Sequence, residues 1–448
     1  MTSRAGKLAY YLKQGELKYL ISFAKNKGFK QTVNYFLNAF RELMRETDYY
    51  GALDREIQGY KRDHPNHFRK AALHMMWWNF KRLFKSNALD TSASISLPED
   101  KINVMFLPNG GLGDYIVIAN YVYFFRQKFK NTPMRIDIVA KENFLGPTKA
   151  VFVAEGESPV DGIYDHSYSE NMKQYDLVID ISRYPVVLHS NISRLWAIDY
   201  HVANYVGLCE DFRHEHPLLI DERPFHDGEA AKLCISEGRT RIKQPDIYDY
   251  LGVTEEYRYP ILVPDKGEVF AKFGINSENY ISVHRGCDTD YSKDSTKLWA
   301  VERYQKLIDL IKEKYPDIQI VQMGVSHSRC VSFSGVDVNL IEKTSINDLK
   351  VILKYARLHI DCEGGMVHLR HAMHGGPSVV IFGPTPVDFY KYSENINITS
   401  GGCPTWCEWA ASDWTEKCVR GHKNPPCTYA TTPEYVMEKI ASVLDAQD

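Results

Sequence analysis

No apolar run in this 448-residue chain reaches the ~18 positions that a membrane-spanning helix requires. The first twenty residues lack the unbroken apolar core of a signal peptide, because Lys7, Lys13, Glu16 and Lys18 interrupt them. A cytosolic chain is expected. Repeats of roughly 20 to 50 residues and low-complexity tracts are missing too, which excludes solenoids and biased linkers. Charge of one sign is not in excess, since 54 Lys and Arg stand against 57 Asp and Glu. No groove-reading motif accompanies the basic residues, so nucleic acid is not an expected partner.

Hydrophobic residues make up 44% and charged residues 25%, the usage of an ordinary globular chain rather than a disordered one. At roughly 100 to 200 residues per domain, the length predicts two or three domains. The near-neutral total hides an asymmetry: residues 1–90 hold 17 Lys and Arg against 8 Asp and Glu, and the remainder 37 against 49. Different partners for the two parts are expected.

Up to about residue 86 the apolar positions recur at three and four, through Val33, Phe36, Leu37, Phe40, Leu43 and Met44 and again through Leu73, Met76, Trp77, Phe80, Leu83 and Phe84. This predicts helices. The second stripe carries Arg69, Lys70, Lys81, Arg82 and Lys85, so core packing competes with docking on an anionic inner-membrane surface, and core packing is preferred. A small, polar linker over 86–100 follows. Then INVMFLP (102–108) runs into Asn109-Gly110-Gly111-Leu112-Gly113-Asp114 and a helical segment, the opening of a βα unit. Further buried strands are predicted at 135–140, 176–182, 280–284, 318–324, 358–363 and 378–383, separated by amphipathic helices. Such alternation predicts parallel sheets covered on both faces, with a joint between two α/β domains at 260–275.

The stretch IDCEGGMVHLRHAMHGGPSVVIFGPTP is the richest in chemistry. A strand ending at Glu363, a turn at Gly364 and Gly365 and a helix starting near Met366 aim free N–H groups at an anion, with His368 on the first turn. Simple packing of strand on helix uses the same glycines. Near the C-terminus, Cys403, Cys407, Cys418 and Cys427 fall within one stretch of 25 residues, where even scattering would put about half a cysteine. Four thiolates can close around zinc or a single iron. Disulfides are the alternative, disfavoured in a cytosolic chain. Cys209, Cys234, Cys287, Cys330 and Cys362 are scattered and are read as small core residues.

Three pieces in fixed order carry a family likeness: GGLGD at 110–114; ISVHRGC followed by KLW at 297–299; and TSINDLKVILKYARLHIDCEGGMVHL followed by FGPT at 382–385. Over roughly residues 100–400 the chain resembles glycosyltransferase family 9, the bacterial ADP-heptose heptosyltransferases. That resemblance implies an α/β chain of GT-B architecture, with two Rossmann-like domains facing across a cleft. The expected division is a helical region over 1–97, an acceptor domain over 98–262 and a nucleotide-sugar domain over 263–400, then a cysteine metal loop over 401–430 and a helix over 431–448.

By the same resemblance Asp114 matches the catalytic base and Lys297 the lysine that meets the donor phosphates. Glu363, Gly364, Gly365, Met366 and His368 match the loop around the diphosphate. The chemistry agrees, because displacing a nucleoside diphosphate needs a base for the attacking hydroxyl and positive charge for the leaving group. Asp114 as an N-cap of a helix starting at Tyr115 is the competing reading.

Glu363 stands where the family has aspartate, Ala300 where it has proline and Arg370 where it has a small residue; Arg370 is expected to alter what the cleft accepts. The cysteine cluster resembles that of the autotransporter-modifying branch, which glycosylates protein. Asp288-Thr289-Asp290 looks like a metal-gripping Asp-x-Asp, but lysine and helix already offer positive charge, so no donor-binding divalent metal is expected. The implied activity is inverting transfer of heptose from ADP-heptose to a cell-surface glycan precursor or a protein hydroxyl, the acceptor being a glycan, a lipid-linked molecule or a protein. Another nucleotide sugar, or a non-catalytic nucleotide-binding scaffold, is the alternative.

Overall fold

The computed structural model describes residues 96–221, 227–286, 295–325, 330–411 and 413–445. All belong to the second of two units into which the chain divides, Met1–Ile95 and Ser96–Asp448. The helices expected before residue 86, Cys287 and Asp288-Thr289-Asp290 lie outside the described residues.

Strands β1 (Ile102–Pro108), β2 (Met134–Val139), β3 (Gly162–Tyr164), β4 (Leu177–Ile181) and β5 (Pro185–Ser190) form one sheet in the order β3-β2-β1-β4-β5. Its pairs are parallel except β4 with β5. Pro185 cannot donate to a ladder, which suits the start of an edge strand. The second sheet contains β6 (Tyr280–His284), β7 (Gln319–Met323), β8 (Val338–Asn339), β9 (Leu358–Cys362), β10 (Ser378–Ile381) and β11 (Ile396–Ile398). Their order is β11-β10-β9-β6-β7-β8, and every pair is parallel.

Helices cover both faces, notably α1 (Leu112–Lys128), α2 (Asp227–Ser236), α3 (Val301–Lys314), α4 (Ile346–Tyr355), α5 (Gly365–Ala372) and α6 (Pro433–Leu444). The two-residue period of a strand sends Ile281, Val283, Leu358, Ile360, Val379 and Ile381 to one face of the second sheet. There they meet Tyr304, Leu307, Ile308 and Ile311, one stripe of α3, and Val436 and Ile440 of α6. Tyr280, Val380 and Phe382 join the other core, continuous with that of the first sheet. A Ser345–Asp348 capping box starts α4. The predicted α/β class with two Rossmann-like parallel sheets is therefore present. Among the described residues no helix is long and apolar enough to cross a membrane.

Topology fixes where a ligand can go. In the first sheet β2 and β4 flank β1, and in the second β7 and β9 flank β6, so strand order reverses at β1/β4 and at β6/β9. Crevices open beyond the carboxyl ends of strands at such reversals. Asp114 follows β1, Lys297 follows β6 and Glu363 follows β9.

Candidate active site

A cleft of about 720 Å³, lined in part by Asp114, Lys297, Glu363, Gly364, Gly365, Met366 and His368, lies at these reversals. Every binding and catalytic residue singled out in the sequence thus borders one space. Its size suits a nucleotide sugar.

Helix α1 begins at Leu112, three residues earlier than an N-cap role for Asp114 requires. Asp114 instead occupies the third helical position, where Oδ2 accepts the Gly111 N–H at 2.8 Å. Its Oδ1 accepts from Arg183 Nη1 at 2.9 Å and Arg241 Nη2 at 2.7 Å. Burial alone would raise the carboxyl's pKa; the two guanidiniums and the amide override it and hold the group well below the usual carboxylate range.

Helix α5 faces α1 end to end. A Cβ on Gly113 would stand 2.7 Å from His368 Cδ2, and one on Gly365 would stand 3.2 Å from Leu112 Cβ. The small size of glycine at these two positions lets the N-termini approach this closely, which gives Gly113 and Gly365 a packing reason as well as an anion-binding one. His368 is buried, its Nδ1 2.5 Å from the Tyr392 hydroxyl, and burial pushes its pKa down to about 4 despite nearby Glu363. Lys297 pairs with Glu363 at 2.7 Å. Burial would lower the ammonium's pKa, yet Glu363 and Glu408 outweigh that and hold it well above the ordinary lysine value.

Arg370 corrects an expectation. It is fully buried and donates to the carbonyls of Leu353, Ala356, Gly376 and Pro377, away from the cleft. Its task is to staple α5 to the end of α4, and it does not shape what the cleft accepts. The four C-terminal cysteines are free and partly buried. Burial, with Cys403, Cys407 and Cys418 close by, pushes Cys427 up to about 12. Their chemistry fits a zinc or iron site. They do not form a ligand set as placed: among the described residues no three His, Cys, Asp or Glu side chains stand ready to hold a metal ion.

Sequence reasoning missed Arg183, Arg241, His284 and Glu408, all of which line the cleft. Arg183 sits two residues beyond β4, and His284 ends β6, so strand order at the reversals would have pointed to both. His284 Nδ1 lies 2.8 Å from Asp361 Oδ2. Arg241, in an irregular segment, carries no local signal. Glu408 was hidden among the cysteines; burial and Glu363 push its carboxyl up to about 7.

A family model described as glycosyltransferase family 9 (heptosyltransferase) matches residues 172–415, more than half of the chain. None of the curated proteins matches it. Among solved structures it is similar to E. coli ADP-heptose lps heptosyltransferase II, at 13% identity over 77% of this chain and 99% of that one, with a TM-score of 0.47. A family 9 glycosyl transferase from Veillonella parvula gives 15% identity, 79% and 99% coverage and a TM-score of 0.46. The iron-containing dodecameric glycosyltransferase TibC from enterotoxigenic E. coli gives 14% identity, 79% of each chain and a TM-score of 0.48.

Proposed function

The chain belongs to glycosyltransferase family 9, a heptosyltransferase family, and from that premise we propose that it transfers a heptose from ADP-heptose to an acceptor hydroxyl with inversion. The acceptor is a cell-surface glycan precursor or a protein. One observation carries this reading: two glycine-opened helix N-termini from different sheets meet in one cleft, Asp114 on the first and the Lys297–Glu363 pair beside the second.

Asp114 takes the proton of the acceptor hydroxyl as its oxygen bonds to the anomeric carbon. The bond from that carbon to the diphosphate oxygen breaks, and ADP leaves with its charge facing Lys297 and the N-terminus of α5. A single base on the face opposite the leaving group inverts the anomeric centre. Oδ2, which accepts only the Gly111 amide, has a lone pair left for the hydroxyl, while Arg183 and Arg241 occupy both lone pairs of Oδ1 and fix the carboxylate. Cys403, Cys407, Cys418 and Cys427 would hold a zinc or iron with a purely structural role, a reading supported by the fall of all four within one stretch of 25 residues.

Calorimetric titration with ADP and adenosine tests the donor site. Lys297→Ala should weaken ADP binding by about 1.5 to 3 kcal/mol, the usual worth of a hydrogen bond to a charged group, and leave adenosine almost unchanged. A wild-type protein that does not bind ADP would overturn the reading.

A further inference from the structure

The cysteine-rich segment is not confined to the surface; its middle enters the cleft. The amides of Cys407 and Glu408 both donate to the Pro384 carbonyl, at 2.9 and 3.1 Å, tying the segment to the turn after β10. Thr296, next to Lys297, donates its amide to Thr415 O and its hydroxyl to Trp414 O, each at 2.8 Å. From the first half of the molecule α2 comes so close that a Cβ on Gly228 would stand 2.8 Å from the Glu408 carbonyl oxygen. Three separate elements therefore fix this stretch against the cleft.

Glu408 is only 5% exposed. The Tyr390 hydroxyl donates to its Oε1 at 2.9 Å, while Oε2 is buried with no hydrogen-bond partner. A buried acceptor without a donor is unfavourable, and native interiors tolerate few unless a ligand completes them. Its charged neighbours include Lys297 and Glu363 of the donor side and Arg183, which holds Asp114. A sugar passing from a diphosphate at Lys297 to a hydroxyl at Asp114 must occupy the space between. That occupant is dense in hydroxyl donors, the group a lone carboxylate oxygen accepts from. Trp409, half-buried in the wall of the same cleft, offers an apolar face to a sugar's C–H surface, with the ring centroid of the buried Trp414 5.7 Å away.

We propose that Glu408 reads the transferred heptose, its Oε2 accepting a hydrogen bond from a sugar hydroxyl, so that the cysteine-rich segment forms part of the donor site. This rests on the heptosyltransferase reading above. The sugar's contribution is isolated by titrating ADP and ADP-heptose into wild type, Glu408→Ala and Glu408→Gln. Glu408→Ala should bind ADP within about threefold of wild type and ADP-heptose about tenfold or more weakly. Glu408→Gln, which keeps the shape and a partner for Tyr390, should show the same selectivity at about fivefold, and it decides the matter if the alanine variant does not fold.

Equal losses for both ligands would make Glu408 a support for Lys297, and unchanged affinity for both would remove it from the donor site; either overturns the inference while ADP binding by wild type leaves the family reading standing. Wild-type protein that binds ADP but not ADP-heptose removes the heptose and this inference together. Wild-type protein that binds neither overturns the proposed function itself.

Discussion

Asp114 accepts three hydrogen bonds on its two oxygens, two of them from guanidiniums, and that sets a limit on its chemistry. Two guanidiniums and an amide keep it ionised at any ordinary pH, but the same contacts make it a poor proton acceptor until one is withdrawn. Asp114→Asn preserves the shape and removes the basicity, so turnover should fall by about 10²- to 10⁴-fold while ADP affinity stays within about twofold. Near-normal turnover would place the base elsewhere. Arg241→Met tests the electrostatics with a definite sign. Loss of a positive neighbour raises the Asp114 pKa toward the ordinary carboxylate value, so the ionised fraction is lost at higher pH, and kcat/KM should fall at mildly acid pH in the variant more steeply than in wild type. Parallel acid profiles for the two would mean that Arg241 does not govern the charge of Asp114. The sequence displayed Asp114 through the GGLGD turn, but not the arginines that govern it, because those join it across 69 and 127 residues of chain.

Elements were legible where they were long and apolar. The expected runs at 102–108, 135–140, 176–182, 280–284, 318–324, 358–363 and 378–383 all contain strands of the two sheets. The missed strands β3, β8 and β11 have three, two and three residues, too few for an alternation to register, and β5 is an edge strand opened by proline. What no pattern could reveal is that α1 and α5, nearly 250 residues apart in sequence, abut through Gly113 and Gly365. That contact is open to a direct test. In Gly113→Ala the new methyl meets His368, which is buried and tied to Tyr392 and cannot retreat, so the helix ends must separate. A loss of about 1 to 3 kcal/mol in urea unfolding is expected, with a fall in turnover. Gly146→Ala, whose methyl would meet nothing within 4 Å, is the control and should be nearly neutral. Equal behaviour of the two variants would mean the helix ends are not in contact.

At the scale of the whole molecule, one charged group sits where the halves join: Lys350, on α4, is buried and donates to the Leu262 carbonyl at 2.8 Å. Burial lowers its pKa from 10.5 to about 8. Unfolded chain holds that proton up to about pH 10.4, so between roughly pH 8 and 10.4 the unfolded state binds more protons and stability rises with pH. Any advantage of Lys350→Met over wild type should therefore be greatest below pH 8 and decline by an amount on the order of 3 kcal/mol by pH 10.4; a pH-independent difference would show that Lys350 ionises normally. The cysteine segment poses the converse question of what holds a stretch together when little core lies beneath it. From β11 to the short helix Pro426–Tyr429 the described residues form no regular element, and ordering each backbone residue costs about 1 to 2 kcal/mol. The ties to Thr296 and Pro384 anchor the middle of the segment. Four thiolates closed on a zinc or iron would join its two ends, which is the reason to expect about one such ion per chain by elemental analysis. Cys418→Ser should then lower metal content and weaken ADP-heptose binding more than ADP binding, because the loosened stretch carries Glu408. Protein free of metal with full thermal stability would leave the four thiols without that role and the loop dependent on its cleft contacts alone.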